Sequence, residues 1–325
     1  MRKTKILASL AAVAVLILSL VVLASCSQPQ QSSSSKEEKL EVAEVSYTAK
    51  ETEPFYVLLV GDDSRTGTTE IAKAEYADGT GRSDTIMLTR VDPSNYQISL
   101  VTIPRDTEDS IGGTPTKINE RYRQGGIDDL LNAVEGLTGV RPRYYMSTTF
   151  VNFEKAVDAL GGLHMYVPYN QSMKDIVSGT QIEYAAGEHD LNGAEALVFA
   201  RERKKYNDLN PVGGEPLRQS NDRMIVQTIV TKVISNASTA SDVARALYPF
   251  VNSNWDVDSF AAFVQDFADH ASQVKFVSGT GPYDGYTNST AGWLATRDTE
   301  TWAKIIEVVN AGGDPNTVLQ APTLY

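Results

Sequence analysis

The most regular hydrophobic pattern lies between residues 81 and 106, where two alternating, β-branched segments flank Asp92-Pro93-Ser94-Asn95. Proline followed by serine and asparagine is typical of a tight turn. The two segments, 84–91 and 97–103, are therefore predicted to be antiparallel strands of one hairpin.

The outer ends of this hairpin carry unusual charge. The pairing that the turn imposes brings Asp84 beside residues 103–105 and Arg82 beside residues 105–107. A single exposed arginine–aspartate pair stabilises a protein little and needs no special explanation. Two arginines and two acids at one end of a sheet favour a functional role.

Further apolar patterns predict the remaining elements. Strands are expected at 55–61 and 163–167, and the spacing of apolar residues predicts helices that alternate with the strands. We expect helices at 127–137, 150–160, 192–199, 221–235, 243–251, 258–271 and 298–310. The predicted fold class is α/β, with a mixed β-sheet flanked by helices on both faces.

The N-terminus reads as a secretion signal. Basic residues precede an uninterrupted apolar run from Ile6 to Ala24, which ends in Leu23-Ala24-Ser25-Cys26. This ending resembles a lipobox, in which the cysteine is lipidated; the alternative is a transmembrane anchor, since the run is long enough to span a bilayer. Either interpretation places the rest of the chain at the outer face of the cytoplasmic membrane, facing the cell wall.

Composition divides the chain into three segments. Residues 1–26 form the signal or anchor, residues 27–54 are too polar to fold and are expected to be a disordered tether, and 55–320 are expected to be one large domain. Cys26 is the only cysteine, so no disulfide can form within the chain. The net charge of −12 argues against nucleic acid as a partner.

Charged residues recur where predicted strands and helices end. Asp62, Asp63 and Arg65 follow the first strand, the usual place for a site in an open α/β sheet. Arg201 and Arg203 follow a predicted helix, and Arg218 is expected in a glycine-rich loop before the next helix, whose N-terminal N–H groups favour an anion.

These residue types suit one kind of ligand. Arginine guanidinium groups match phosphate oxygens, and two carboxylates suit a divalent cation that bridges such oxygens. A pyrophosphate with a metal ion therefore fits the set, which also suits phosphoryl transfer. Other chemistries lack support, because the three histidines are scattered and the chain has no nucleophilic cysteine or Gly-x-Ser-x-Gly motif.

Several ordered segments resemble the LytR-CpsA-Psr family. They cover most of the chain from about Tyr56 to the late helices, and they read LLVGDDSR, GRSDTIML, VTIPRDT, KINERYRQGG, VDALGGLHMYVP and GEHDLNGAEALVFARERK. The resemblance implies an extracytoplasmic phosphotransferase. Such an enzyme moves a glycopolymer, for example a teichoic acid or capsule, from a polyprenyl-pyrophosphate carrier to peptidoglycan, with Mg2+ and an apolar tunnel for the prenyl chain.

The same resemblance assigns roles to matching residues. Asp63 and Asp84 are expected to hold Mg2+, and Asp63 is also the candidate base for the acceptor hydroxyl. Together with Arg105 these two acids form the expected catalytic set. The arginines expected to bind pyrophosphate are Arg65, Arg82, Arg105, Arg201, Arg203 and Arg218.

One segment departs from the family pattern. Many members read Gly-Asp-x-x-Arg followed by an amide-containing pair, whereas this chain reads Gly214-Glu215-Pro216-Leu217-Arg218 and then Asn221-Asp222. In another register Arg218-Gln219 matches the Arg-Gln element, which leaves Glu215 where an arginine is expected. Residues 66–81 form a long loop that is expected to cover the site.

Two alternatives share the same residues. A polyprenyl-pyrophosphate phosphohydrolase would use the same arginines with water as acceptor. A non-catalytic polyprenyl-phosphate-binding lipoprotein would keep the pocket but lack turnover because of the changes at Glu215 and Asp222.

Overall fold

A computed structural model describes residues 52–70, 81–207 and 214–322. The predicted signal or anchor and nearly all of the predicted tether lie outside these ranges, so those expectations stay predictions. Residues 71–80, most of the predicted covering loop, also lie outside them.

The strands are numbered here in chain order. They are β1 (Phe55–Asp62), β2 (Ser83–Asp92), β3 (Gln97–Thr102), β4 (Glu108–Ile111), β5 (Thr114–Lys117), β6 (Tyr144–Thr149), β7 (Leu163–Val167), β8 (Gln171–Lys174), β9 (Gln181–Tyr184), β10 (Gly187–Leu191), β11 (Asn252–Ser253), β12 (Lys275–Thr280), β13 (Gly285–Asn288) and β14 (Gly292–Ala295).

The α-helices follow the same numbering. They are α1 (Asn119–Thr138), α2 (Phe150–Ala159), α3 (Gly193–Arg201), α4 (Glu215–Ile234), α5 (Ala240–Leu247), α6 (Val257–Asp269) and α7 (Thr299–Asn310). No helix in the described ranges has the length and apolar character that crossing a membrane requires.

The central sheet has six strands in the order β11-β6-β1-β2-β3-β12. β1 pairs with β6 and β3 with β12 in parallel, whereas the other neighbours are antiparallel. The sheet is therefore mixed, as predicted. Four shorter hairpins, β4–β5, β7–β10, β8–β9 and β13–β14, lie outside it.

Alternation along the strands divides the core into two layers. Leu58, Ile86 and Val101 face α1 and α7, where they pack with Leu130 and Trp302. Each such side chain stabilises the fold by about 1.5–3 kcal/mol through burial.

The opposite side chains of the same strands face α4, α5 and α6. Val57, Met87 and Leu100 pack there with Trp255 and Phe267. Helices thus cover both faces of the sheet, which confirms the predicted class.

The predicted hairpin is present. β2 and β3 pair from Asp92 with Gln97 to Met87 with Thr102, and Asp92 Oδ1 accepts the backbone N–H of Asn95 at 3.1 Å across the turn. α3 begins with the expected capping box between Asn192 and Glu195. β7 has the predicted bounds.

Two helix starts differ from the prediction by six or more residues. α1 begins eight residues before the predicted start, but its backbone is non-helical at Gly126 (φ 68°), a conformation that only glycine adopts readily. The predicted helix 127–137 therefore corresponds to the part of α1 after this break, and residues 119–125 form a helical segment that was not predicted. α4 begins at Glu215 instead of residue 221, so Arg218 lies in its first turn and not in a loop. Pro216 suits that turn, since its missing N–H has no partner to lose there.

Candidate functional site

The site begins where β1 ends. The ladder between β1 and β2 shifts between Gly61 and Asp62, and Asp63 then forms two bonds with Arg82. The Asp63 N–H donates to the Arg82 carbonyl at 2.9 Å, and Asp63 Oδ1 accepts the Arg82 N–H at 2.6 Å. Asp63 is thereby held beside the start of β2.

Gly81 makes this close approach possible. A Cβ atom at position 81 would lie 1.8 Å from Asp62 Oδ1 and 2.3 Å from the backbone nitrogen of Ser64. No side chain fits there, so glycine allows the chain entering β2 to pass directly over the end of β1.

Asp84 and Arg105 meet as the hairpin geometry predicted. Arg105 Nη1 lies 2.8 Å from Asp84 Oδ1, and Arg105 Nε lies 3.3 Å from Glu215 Oε1. Burial lowers the pKa of Arg105, but the charges of Asp84 and Glu215 outweigh this and raise it overall. Arg105 therefore joins β2 to the beginning of α4.

Arg218 is buried and forms bonds within the protein. Its Nε and Nη2 atoms donate to Glu215 Oε1 at 3.1 and 2.5 Å, and Nη1 donates to Asp222 Oδ2 at 2.7 Å. Nη2 also donates to the Asp84 carbonyl at 2.8 Å. Glu215 and Asp222, the two departures from the family pattern, thus flank one arginine and fix it against β2.

The pKa values of the two acids beside Arg218 are shifted in opposite directions. Burial alone would raise the pKa of Glu215, but Arg218 and Arg105 lower it to about 2, so Glu215 is ionised. Burial raises the pKa of Asp222, although Arg218 opposes the change.

Arg65 and Arg201 approach from another direction. Their guanidinium carbons lie 5.1 and 5.3 Å from the ring centroid of Phe150, the first residue of α2. Arg65 Nη1 also donates to the Asp63 carbonyl at 2.6 Å. The pKa of Arg201 is lowered by burial and by the neighbouring charge of Arg65. Two cations at one ring, with mutual repulsion, suit a site for an anion.

Several site residues were not predicted. Glu120 of α1 forms an ion pair with Arg82. Asp106 accepts hydrogen bonds from Lys117 Nζ at 2.6 Å and from the Tyr283 hydroxyl at 3.3 Å. Asp106 and Lys117 belong to segments that resemble the family, so those segments were the available signal. Tyr283 lies far along the chain, and no local pattern marks it.

Most of these groups line the mouth of one large cavity. Its volume is about 990 Å³, and the eight predicted site residues line it: Asp63, Arg65, Arg82, Asp84, Arg105, Arg201, Arg203 and Arg218. The sequence therefore identified residues that the fold brings together. Their individual roles stay predictions.

Behind this charged mouth the cavity is apolar. It runs between the sheet and α4–α6, where its walls include Met87, Leu100, Val230, Leu247 and Phe263. Most ligand pockets measure roughly 300–1,000 Å³, so this cavity is at the large end of the range. Its lining suits a ligand with a long apolar part and a charged head.

The carboxylates at the mouth suit Mg2+. Asp63 is buried and Asp62 half-buried beside Asp84, and burial together with the neighbouring negative charge raises both pKa values, that of Asp62 to about 6. Among the described residues no three acids or histidines form a complete metal site. Magnesium is usually held by one or two carboxylates together with phosphate oxygens and water, so Asp63 and Asp84 fit it.

Comparison with known proteins agrees with this geometry. The sequence profile of the LytR_cpsA_psr family matches residues 18–305. The chain belongs to this family.

Two curated relatives come from Bacillus subtilis (strain 168). TagU is 31% identical over 244 residues, which cover 73% of this chain and 72% of TagU. TagV is 33% identical over 172 residues, which cover 51% of this chain and 41% of TagV. The aligned segment thus spans less than half of TagV. Both relatives are named as polyisoprenyl-teichoic acid–peptidoglycan teichoic acid transferases.

The fold is that of a solved relative. The crystal structure of B. subtilis TagV superposes with a TM-score of 0.64 at 25% identity, covering 82% of this chain and all of the TagV chain in that structure. The mixed sheet with helices on both faces is therefore the architecture of the family.

Proposed function

We propose that this protein transfers a glycopolymer, of the teichoic acid class or a similar anionic chain, from a polyprenyl-pyrophosphate carrier to peptidoglycan. The transfer forms a phosphodiester link in the cell wall. The named activities of TagU and TagV support this function over hydrolysis or simple binding.

One observation carries the proposal. A single cavity has apolar walls between the sheet and α4–α6 and a mouth lined by arginines and carboxylates. A polyprenyl pyrophosphate has the matching two parts, an apolar chain and an anionic head. Each CH2 group that the cavity buries contributes about 0.8 kcal/mol, so the chain supplies affinity while the mouth positions the head.

The arginines at the mouth would hold the pyrophosphate. Arg65 and Arg201 lie at Phe150, and Arg105 lies at Asp84, so positive groups reach the head from two directions. Arg218 would chiefly position these groups, because it donates hydrogen bonds to Glu215, Asp222 and the Asp84 carbonyl. Stabilising the charge that develops on phosphate oxygens is the main requirement of phosphoryl transfer.

Asp63 and Asp84 would hold Mg2+, which when bound neutralises charge on the pyrophosphate. In the reaction an acceptor sugar hydroxyl attacks the phosphorus that bears the glycopolymer. A new P–O bond forms, the bond from that phosphorus to the bridging oxygen breaks, and polyprenyl phosphate leaves. The hydroxyl proton passes to a carboxylate at the mouth, for which Asp63 is the candidate.

The N-terminus would keep the site at the membrane. A chain attached through lipidated Cys26, or through the apolar run before it, places the cavity within reach of lipid-linked substrates at the outer face of the cytoplasmic membrane. Cys26→Ser separates the two anchors. If the chain is a lipoprotein, the wild type is labelled by a radioactive fatty acid and the Cys26→Ser variant is not. If the chain has a transmembrane anchor, neither protein is labelled.

Transfer can be measured directly. Purified protein, Mg2+, a lipid-linked anionic oligosaccharide and peptidoglycan should yield polyprenyl phosphate and polymer-linked peptidoglycan. Release that is equally fast without peptidoglycan would identify a phosphohydrolase instead. Binding of the lipid without any release would identify a non-catalytic protein.

A further inference from the structure

Asn119 has an unusual position at the mouth of the cavity. It is the first residue of α1 and is only 4% exposed, yet it lines the cavity. Its backbone N–H donates to the Arg105 carbonyl at 3.3 Å, which fixes the residue beside the arginine that binds Asp84.

The side-chain oxygen of Asn119 lacks a partner. Its Oδ1 atom is buried without a hydrogen bond among the described residues. Buried polar atoms are nearly always hydrogen-bonded, and leaving one unpaired costs about 1–3 kcal/mol. Such an atom in the wall of a cavity therefore indicates a ligand group that completes the bond.

The chemistry of Oδ1 limits what that group can be. A carbonyl oxygen only accepts hydrogen bonds, and ionised pyrophosphate oxygens also only accept them. In the orientation that the structure gives, the anionic head cannot satisfy Oδ1, and it would pair with the Nδ2 donors only if the amide rotated by about 180°. A sugar hydroxyl or an amide N–H can satisfy Oδ1, because each donates a hydrogen.

Two hairpins form a wall of the cavity near Asn119. β4–β5 contributes Thr116 and Lys117, and the tip of β13–β14 contributes Thr290 and Ala291. The second hairpin is held in place by its base, because the Ala295 N–H donates to the Asp106 carbonyl at 2.9 Å. Its Tyr286 hydroxyl donates to Glu108 Oε1 at 2.6 Å.

We infer that Asn119 and the tip of the β13–β14 hairpin bind the acceptor, a neutral sugar whose hydroxyl or amide group donates to Asn119 Oδ1. This subsite rests on the proposed transferase function and adds the place from which the acceptor hydroxyl approaches. It lies beside Arg105, so a sugar held there presents a hydroxyl next to the carboxylates.

Two variants test the subsite in the full chain. Asn119→Leu keeps a similar volume and removes the amide, and Ala291→Trp adds bulk at an accessible hairpin tip. Asn132→Ala, on the exposed side of α1, is the matched control. Each protein is assayed for transfer at varied peptidoglycan concentration, and separately for binding of polyprenyl pyrophosphate by calorimetry.

We expect Asn119→Leu to raise the KM for peptidoglycan on the order of tenfold, as the loss of hydrogen bonds to a neutral group predicts. Ala291→Trp should also raise it, whereas polyprenyl-pyrophosphate binding stays at the wild-type value in all three variants. Wild-type KM in both variants, or weakened binding of the pyrophosphate, would overturn the subsite.

Failure of the proposed function gives a different result. In that case the wild type itself shows no transfer, and N-acetylglucosamine oligosaccharides are then tested for binding by saturation-transfer NMR. Binding that Asn119→Leu weakens supports the subsite without the reaction. Oligosaccharide binding that is absent, or equal in wild type and variant, contradicts it.

Discussion

Arg105 Nη1 lies 2.8 Å from Asp84 Oδ1, so the loop after β3 is joined to the second residue of β2 at the mouth of the cavity. The same guanidinium reaches Glu215 at the start of α4. One arginine therefore fixes the relative position of the hairpin and of the helix that forms a cavity wall.

Arg105→Lys should abolish most transfer. A lysine ammonium lacks the planar fork that reaches Asp84 and Glu215 together, so the site loses a positioned cation. We expect kcat/KM to fall about 10²-fold or more, measured as release of polyprenyl phosphate. Arg141→Lys, at an exposed pair with Glu135, is the control and should leave the rate unchanged. Undiminished activity in Arg105→Lys would contradict the assigned role.

Arg218→Met should act on stability. It leaves Glu215 and Asp222 buried without their principal cation, and breaking such a buried pair costs about 3–5 kcal/mol. Urea unfolding measures the loss. The triple variant Arg218→Met, Glu215→Gln, Asp222→Asn removes the stranded charges and should recover part of it. A single variant as stable as wild type would show that Arg218 is not structural.

Val230→Trp should weaken the binding of a long-chain polyprenyl pyrophosphate more than the binding of a short-chain one. Val230 lies in the apolar wall contributed by α4. A larger side chain displaces part of the prenyl chain, and loss of about two buried CH2 groups weakens binding roughly tenfold. Calorimetry with a long-chain and a short-chain polyprenyl pyrophosphate measures this difference. An equal loss of affinity for both ligands would show that the prenyl chain does not extend past Val230.

Magnesium should be required, and its affinity should depend on Asp63. Chelation with EDTA is expected to stop transfer, and added Mg2+ to restore it. Asp63→Asn keeps the size of the side chain but loses one negative charge and the candidate base. The maximal rate should therefore fall, and half-maximal activity of the remainder should need several-fold more Mg2+. Full activity in EDTA would contradict the predicted cofactor.

Glu154 predicts a pH dependence of stability. Burial and a hydrogen bond with the buried Asp175 raise the pKa of Glu154 to about 8. An unfolded chain releases this proton near pH 4.5, so the folded state loses stability as pH rises from there to about 8. The loss is then complete and stays constant.

Glu154→Gln removes this titration while keeping a donor for Asp175. We expect a higher Tm than wild type at pH 8 and a similar Tm at pH 4. Because Glu154 is partly solvent-exposed, the gain should be small, of about 2–4 °C. A difference that does not change with pH would show that Glu154 does not titrate in this way.

The sequence predicted the parts of the site that depend on local pairing. The turn at Pro93 fixed the hairpin, and the hairpin fixed Asp84 against Arg105. Strand ends likewise placed Asp63 and Arg65 at the same edge, because carboxyl ends of neighbouring strands and the start of β2 meet there.

Contacts between distant segments could not be predicted. β6 and β12 become recognisable as sheet strands only through their parallel pairing with β1 and β3. Tyr283 reaches Asp106 from 177 residues further along the chain. α4 was predicted too short, since its first turn carries the charges of Glu215 and Arg218 instead of an apolar stripe.

The register of β2 against β3 has a consequence for evolution of the site. A slip by one residue would move Met87 from the α4–α6 side to the α1–α7 side and would also part Asp84 from Arg105. The apolar side chains in the middle of the strands thus determine the register, and this register also sets which charged residues lie opposite each other at the strand ends. Substitutions at the mouth can therefore alter chemistry without endangering strand pairing.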